Sequence, residues 1–407
     1  MIKACHIVTL FQWSDSKIGI TPWLTEYFLR LKEKGVEVTV FAPSYKGLRD
    51  QTVLGLEVKR YRYFLSRWEN LTHEETALVR LKRKPFYIFP AIFLVISSCV
   101  NIIKLCEKRK FDIIHVHWPF PLGIAGYLGA KVSKGKLVLK FYSAELAFAL
   151  KGPFPFKKIL KKILKSIIKK ADLIVANSSY TKNLLHNFYS EIQAEVIPEG
   201  ISVVPKASEK KEENSKKILF VGRLVERKGV EYLIRAMPLV AEQLEVKLDI
   251  IGEGELRTKL EGLSNSLGLK DKVNFAGRVK EELLDKYYRD CDLFVLPAIV
   301  DHKGDTEGLG MVLVEALSYG KPVIASAVGG IVDIIKDQET GLLVPEKDEK
   351  ALAQAIVSIL KNPSRAKELV TAGYQHIKKY FDWDKIVDKT LTLYNRICLE
   401  LKGSRII

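Results

Sequence analysis

Cysteine is scarce in this chain. There are five in 407 residues, at 5, 99, 106, 291 and 398, and no CxxC among them. An odd count in a chain this long argues against a disulfide framework and fits a reducing compartment. The amino terminus, MIKACHIVTLFQW, lacks the charged region, long apolar core and small-residue cleavage site of a secretory signal. Glycine (26) and proline (15) are too few for a collagen-like chain, and 47% hydrophobic residues are too many for a disordered one. Acidic residues are short in one half only. Residues 1–200 hold 32 Lys+Arg against 16 Asp+Glu, a net of +16, whereas residues 201–407 hold 33 against 32. A Lys-rich, thermophile-like surface explains many of these charges but not their one-sidedness. The asymmetry suits an anionic surface, membrane or nucleic acid.

The length predicts two or three domains. Short apolar runs alternate with helical patterns: ACHIVTL (4–10), VEVTVFA (36–42), FDIIHVHW (111–118), KLVLKFY (136–142), ADLIVAN (171–177) and AEVIP (194–198). Continuous apolar runs of this kind are what buried parallel strands require. The helical stretch 22–34 ends at Gly35, a C-terminal cap. Residues 205–217, PKASEKKEENSKK, contain no large apolar residue and read as a linker. The alternation resumes with KILFVG (217–222), KLDIIG (247–252), KVNFAG (272–277), DLFVLP (292–297), KPVIAS (321–326) and GLLVP (341–345). The expectation is two α/β domains, with ligands at the carboxyl ends of their strands.

Two segments carry candidate chemistry. In VGRLVERKGVEYLIRAM (221–237) a loop between strand and helix presents Arg223 and Lys228. A guanidinium fork and an ammonium can together neutralise a diphosphate without a metal. Taken alone, such a loop pair is more often merely solvated. In GDTEGLGMVLVEALSYGKPVIAS (304–326), Glu307 and Glu315 lie eight apart around Gly308 and Gly310. Glycines allow close backbone approach to a ligand, and a carboxylate inside the following helix can accept two sugar hydroxyls. Alone, this pair also reads as a helix-start Glu and a surface Glu.

Together, and with their spacing, the two segments resemble family 4 of the retaining glycosyltransferases. DIIHVHW, VIPEGI (196–201), VGRLVERKG, GEGEL (252–256), VNFAGRV (273–279), LFVLPA, the Glu-x7-Glu segment, ASAVGGIVDII (325–335) and the closing FDW (381–383) follow in family order. Gly19 stands where the family's first-loop glycine pair ends. The resemblance implies the GT-B fold, an α/β arrangement of two Rossmann-like doubly wound domains facing each other across a cleft. The domains expected are 1–204 with a crossover helix 384–407, a linker 205–217, and 218–383. It implies that Arg223 and Lys228 hold the donor diphosphate, which Gly19 also approaches. Glu315 would bind the ribose. Glu307, with the backbone of Gly308, Leu309 and Gly310, would hold the transferred sugar. Glu307, Arg223 and Lys228 are the catalytic set. No cofactor and no metal are implied.

The departures bear on the substrate. Ile18 replaces the first glycine of the pair, and Glu199 and Ser202 stand for the family's usual Asn and Asp. In KFYSAEL (140–146), Tyr142 occupies the place of a His that contacts the sugar. Tyr142, His117 and Glu145 are the acceptor-side candidates, and His115 reads as a core histidine. Asp290-Cys-Asp292 and Asp382-Trp-Asp384 spell DxD, but one enters a strand and the other starts a helix, so both read as structural.

Two segments concern location. KKILKKILKSIIKK (157–170) has an apolar stripe at 159, 160, 163, 164, 167 and 168 and no acidic residue. It reads equally as a helix on an anionic bilayer and as a covering helix with solvated lysines. PFYIFPAIFLVISSCVNII (85–103) is 19 residues without a charge, close to the ~20 of a membrane span. Its position before DIIHVH and its prolines favour a buried or interfacial helix.

The expected function is hexose transfer from a UDP- or GDP-sugar to a lipid-linked or anionic acceptor. The protein would sit peripherally at the cytoplasmic face of an anionic membrane, through its first domain. The alternatives are a soluble acceptor, as in sucrose- or glycogen-type synthases, and a nucleotide-sugar-binding protein without turnover. Nucleic-acid binding ranks last, for want of any such module. The oligomeric state is left open.

Overall fold

The computed structural model describes the chain except residues 16–20, 75–76, 144, 147–156, 203–214 and 404–407. Gly19, Ile18 and most of the expected linker therefore lie outside the described residues. The chain divides into two compact units. The first comprises Met1–Asn177, Thr181–Pro198 and Ile386–Ile407, and the second Ser178–Tyr180 and Glu199–Lys385.

The first unit is built on an eight-stranded sheet: β1 (Lys3–Ile7), β2 (Glu37–Pro43), β3 (Gln51–Val53), β4 (Leu56–Tyr61), β5 (Ile113–His117), β6 (Lys136–Phe141), β7 (Leu173–Ala176) and β8 (Glu195–Val196). The order is β3-β4-β2-β1-β5-β6-β7-β8. All neighbours are parallel except β3, which runs antiparallel to β4. The reversal of order between β1 and β5 is where ligands gather in such sheets.

The six apolar runs of the first half become β1, β2 and β5 to β8. The β3–β4 hairpin was not anticipated. Its two-residue turn, Leu54-Gly55, has φ of 49° and 77°, the double left-handed geometry of a tight hairpin. Leucine is a poor signal for that geometry. Here the amide of Leu54 donates to the Asp15 carboxylate at 2.7 Å, which helps hold the turn. The helix Pro22–Glu33 does stop before Gly35, whose φ is 86°.

Three helices cover one another in sequence. Ile88–Lys108 packs on Pro119–Ser133, which packs on Lys157–Ile168. Glycines make this possible. A Cβ at Gly129 would lie 2.9 Å from Ile102, and one at Gly123 would lie 3.1 Å from Ile167. Leu164, Ile167 and Ile168 are thus committed to the core, while Ile159 and Ile163 stay exposed. The stripe on 157–170 serves mainly as the inner face of a covering helix.

The last helix, Trp383–Gly403, closes the first unit from Ile386 onward. Val387, Tyr394 and Ile397 are buried, Tyr27 donates to Thr390 Oγ1 (3.3 Å), and Tyr394 pairs with His115 Nδ1 (2.5 Å).

The second unit holds a six-stranded parallel sheet, β9 (Lys216–Val221), β10 (Val246–Ile251), β11 (Val273–Gly277), β12 (Leu293–Leu296), β13 (Val323–Ser326) and β14 (Leu342–Val344). Its order is β11-β10-β9-β12-β13-β14. The order reverses between β9 and β12, and the segments singled out for chemistry follow these two strands.

Candidate active site

After β9 the chain passes Arg223, makes one tight turn over Glu226–Lys228, and enters the helix Val230–Ala241 through Gly229. Gly229 has a φ of 65°, and a Cβ there would lie 1.7 Å from the carbonyl oxygen of Pro297. Only glycine lets this turn rest on the end of β12. The carbonyl of Arg227 then accepts from the Ile299 amide at 2.9 Å. The loop after β12 carries Asp305 and Glu307 and enters the helix Met311–Ser318 at Gly310, with a φ of 97°. Gly329 and Gly330, after β13, press on this loop. Cβ atoms there would come within 2.0 and 2.1 Å of the carbonyl oxygens of Glu307 and Gly308. The Gly330 amide also donates to the Glu307 carbonyl at 2.9 Å.

These supports bring the charged groups together. The Glu307 carboxylate pairs with Lys228 and accepts from Arg227 Nη1 at 3.2 Å. Arg227 Nε lies 3.5 Å from Asp305. Burial would raise the Glu307 carboxyl, but Lys228, then Arg227 and Arg223, outweigh it and hold it below the usual range. Burial lowers the Arg223 guanidinium, and repulsion from Arg227 lowers it further. The cluster therefore gathers three cations, Arg223, Arg227 and Lys228, around the Glu307 carboxylate, with Asp305 beside Arg227, an arrangement suited to incoming negative charge.

Glu315 lies on the first helix turns beyond this loop. Tyr288 donates to its Oε2 at 2.7 Å. Burial raises its carboxyl, while the Tyr288 hydrogen bond and Lys228 act against the rise. The structure thus places Arg223, Lys228, Glu307 and Glu315 in one electrostatic neighbourhood, with Gly308, Leu309 and Gly310 on the same loop. Arg227, Asp305 and Tyr288 were not singled out from the sequence. Arg227 could have been suspected from its place beside Lys228 in the turn Glu226–Lys228. Tyr288 is 27 residues from Glu315, with no spacing rule to connect them.

In the first unit, His117, Tyr142 and Glu145 also come together. The Tyr142 hydroxyl meets His117 Nδ1 at 2.7 Å, and its amide donates to Glu145 Oε1 at 2.7 Å. Its ring stacks on Trp118 at 4.7 Å and lies 5.5 Å from Trp23. Trp118 and Ser143, just past β5 and β6, have positive φ of 55° and 77°, strained backbone of a kind that clusters at functional sites. His117 is buried and joins His6 at 3.2 Å. His6, His115 and His117 hold ring nitrogens within 4.8 Å of one another, the group that could ligate a metal ion among the described residues. Burial lowers all three imidazoles, His6 to about 3, and the neighbouring histidine rings, then Lys140, lower His115 and His117 further.

The two DxD sequences have local duties. Asp292 Oδ2 accepts from the Lys217 amide at the start of β9 (2.7 Å), and Asp382 Oδ1 accepts from the Asp384 amide (2.9 Å).

Comparison with known proteins bears on the family and the fold. Residues 19–204 match the family described as Glycosyltransferase Family 4, and residues 205–376 match Glycosyl transferases group 1. An uncharacterised glycosyltransferase of Methanocaldococcus jannaschii is 29% identical over 381 residues, 88% of this chain and 94% of that protein. A GDP-mannose-dependent alpha-(1-6)-phosphatidylinositol monomannoside mannosyltransferase of Mycolicibacterium smegmatis is 25% identical, over 90% of this chain and 91% of its own. The sucrose-phosphate synthase of Thermosynechococcus elongatus superposes with a TM-score of 0.73 at 22% identity, covering 97% of this chain and 99% of that one. With matches running from 19 to 376 and two parallel sheets of this order, the chain belongs to the family 4 glycosyltransferases of GT-B fold.

Proposed function

We propose that this glycosyltransferase moves a hexose from a nucleotide-diphosphate sugar, UDP- or GDP-linked, to a lipid-linked or membrane-associated acceptor, with retention of anomeric configuration. The observation that carries the donor half is the convergence of Arg223, Arg227 and Lys228 on Glu307 at the ends of β9 and β12. A diphosphate outcompetes one carboxylate for these cations, because it brings more charge and more acceptor oxygens. Lys228 and Arg223 then stabilise the leaving group. Glu307, released, accepts hydroxyls of the transferred sugar, and Glu315 those of the ribose. The bond between the anomeric carbon and the phosphate oxygen breaks as the acceptor oxygen bonds to that carbon on the same face. The acceptor's proton passes to the leaving phosphate oxygen. Cationic side chains supply the stabilisation that such a step needs, so transfer is expected to proceed without a metal.

The acceptor half is assigned to the first unit, where Trp23, Trp118 and Tyr142 form an aromatic group beside His117 and Glu145. The mannosyltransferase relative acts, by its name, on a phosphatidylinositol mannoside, which supports a lipid acceptor, as does the excess of positive charge in residues 1–200. The five cysteines, none in a disulfide, suit the cytoplasmic face. The test is transfer from GDP-mannose and UDP-glucose to phosphatidylinositol in vesicles, with EDTA present, and the product's anomeric configuration read by NMR. A lipid-linked product of donor configuration is expected. Transfer only to soluble sugars overturns the acceptor class, an inverted product overturns retention, and activity lost to EDTA and restored by manganese overturns metal independence.

A further inference from the structure

The helix Ile88–Lys108 is turned inside out for a soluble surface helix. Its inner face buries Leu94, Ser98, Ile102 and Cys106, the last two near the glycines of Pro119–Ser133. Its outer face carries Ile88, Phe89, Ile92, Phe93, Ile96 and Val100, and with Phe86 just before it these are 41–52% exposed. Surface helices ordinarily present charge outward. On this helix charge appears only at its far end, with Lys104, Glu107 and Lys108. The apolar ridge from Phe86 to Val100 runs about 20 Å along the axis. It continues sideways into aromatic rings: Trp68 lies 4.8 Å from Phe86, Phe64 lies 5.6 Å from Phe93, and Leu65 is exposed beside them. Glu69 holds this neighbouring loop rigid. Its buried carboxylate accepts from the Tyr63 amide, the Ser44 hydroxyl and Arg62 Nε at 2.7–2.9 Å.

The exposed charge at the amino-terminal end of the ridge is positive. Residues 77–106 contain no acidic residue, and Lys82, Arg83 and Lys84 are exposed at the ridge's amino-terminal end. Residues 157–170 also contain none. They form the helix packed on the other side of Pro119–Ser133, with Lys158, Lys162, Lys165 and Lys169 exposed. An apolar ridge edged by aromatic rings and flanked by lysines matches the chemistry of an anionic bilayer surface: acyl chains for the ridge, the interfacial layer for the rings, phosphates for the lysines. The helix is long and apolar enough to cross a membrane. However, its inner face is committed to the first unit, so it can lie in the interface but not thread the bilayer.

We propose that the outer face of Phe86–Val100 inserts into the headgroup boundary of an anionic membrane, with the helix Lys157–Ile168 adding electrostatic contact rather than making the primary one. This deepens the reading of a membrane acceptor and rests on it for its purpose. The full chain is mixed with vesicles of phosphatidylglycerol and phosphatidylcholine in equal parts and sedimented. The wild type is expected to pellet and to be stripped by alkaline carbonate. The variant F89Q/I92Q/F93Q/I96Q is expected to bind about a hundredfold more weakly, because several half-buried apolar side chains no longer enter the acyl boundary. Its circular dichroism and donor hydrolysis should be unchanged. K161Q/K162Q/K165Q should lose part of the preference for anionic lipid and keep the rest of its binding. A readout free of core substitutions is quenching of tryptophan fluorescence by brominated phosphatidylcholine, expected in the wild type and lost in W68F. Equal vesicle binding by the quadruple variant overturns the proposal. So does a wild type that ignores vesicles but forms a dimer which the quadruple variant splits, since the ridge then faces a second copy. The two readings fail separately. Vesicle binding through the ridge with transfer only to soluble sugars removes the lipid acceptor alone, and lipid transfer with ridge-independent binding removes the ridge alone.

Discussion

Arg223 and Arg227 are four residues apart and carry the same charge, yet the structure gives them different work. Arg227 is tied to Glu307, Asp305 and the Thr306 carbonyl, and so holds the loop after β12. Arg223 contributes to the field at Glu307 without a hydrogen bond to it. Arg223→Ala is therefore expected to lower kcat by about 100-fold or more, as removal of a charge stabiliser in the transition state does. Arg227→Ala is expected mainly to raise KM for the donor, since it disorders a binding loop. Steady-state kinetics with varied donor separates the two, and equal kcat losses would show that both touch the leaving group. Glu315 permits a test by pH. Its folded carboxyl is raised by burial, so the fold binds a proton there more tightly than the unfolded chain does. Stability is then lost as pH rises from the unfolded value, about 4.3, through the raised folded value, and the cost persists above it. Glu315→Gln should raise the thermal midpoint at neutral pH by a few degrees and change it little near pH 4, where both states are largely protonated. Donor binding should be lost in the same variant. A midpoint that falls at neutral pH would show that the ionised carboxylate stabilises the fold. Glu307 runs the other way. Its carboxyl is depressed, so its contribution is present above the unfolded value and is lost as pH falls through the folded one.

At the level of elements, the loop after β12 is held by a second loop, after β13, at backbone contact. Gly330 has an ordinary φ, so the constraint there is space alone: a Cβ meets the Gly308 carbonyl oxygen at 2.1 Å and the Leu309 Cα at 2.8 Å. Backbone cannot step aside as a flexible side chain does. Gly330→Ala is expected to cost about 1–3 kcal/mol of stability, as overpacking does, and to weaken donor binding by displacing Glu307. Thermal melts and donor titration check both, and an unchanged donor affinity would show that the loop is not positioned from this side. The β3–β4 hairpin illustrates an element whose signal is weak in sequence. A Leu-Gly turn lacks the residues that announce two left-handed positions. The pattern of the helix Lys157–Ile168 was visible, but not which residues of its stripe would meet Gly123 and which would stay in water.

For the whole molecule, the last helix is the part with most at stake. Tyr394 and Thr390 close hydrogen bonds with His115 and Tyr27, and Val387, Leu393 and Ile397 bury apolar surface in the first unit. Ending the chain at Lys385 should leave His115 and Tyr27 without these partners and expose the sheet face beneath. The expected result is aggregation or a midpoint lowered by well over ten degrees, since several buried residues are lost at once. A truncated chain with an unchanged melt would mean that the first unit folds without this helix.

The sequence by itself determined the alternation of strands and helices, the two-sheet organisation and the positions of Arg223, Lys228, Glu307 and Glu315. Buried parallel strands must be continuous apolar runs, whereas the charged, glycine-bearing loops after them were singled out by their resemblance to family 4 glycosyltransferases. Only the tertiary structure decided which side chains meet. The Tyr288–Glu315 and His115–Tyr394 hydrogen bonds join residues 27 and 279 apart, and no local period encodes such pairings. It also decided which face of Ile88–Lys108 is buried. That helix is apolar nearly all round, so periodicity names no inner side, and the choice falls to Gly129 and Ile102, where the backbones approach closely enough to pack.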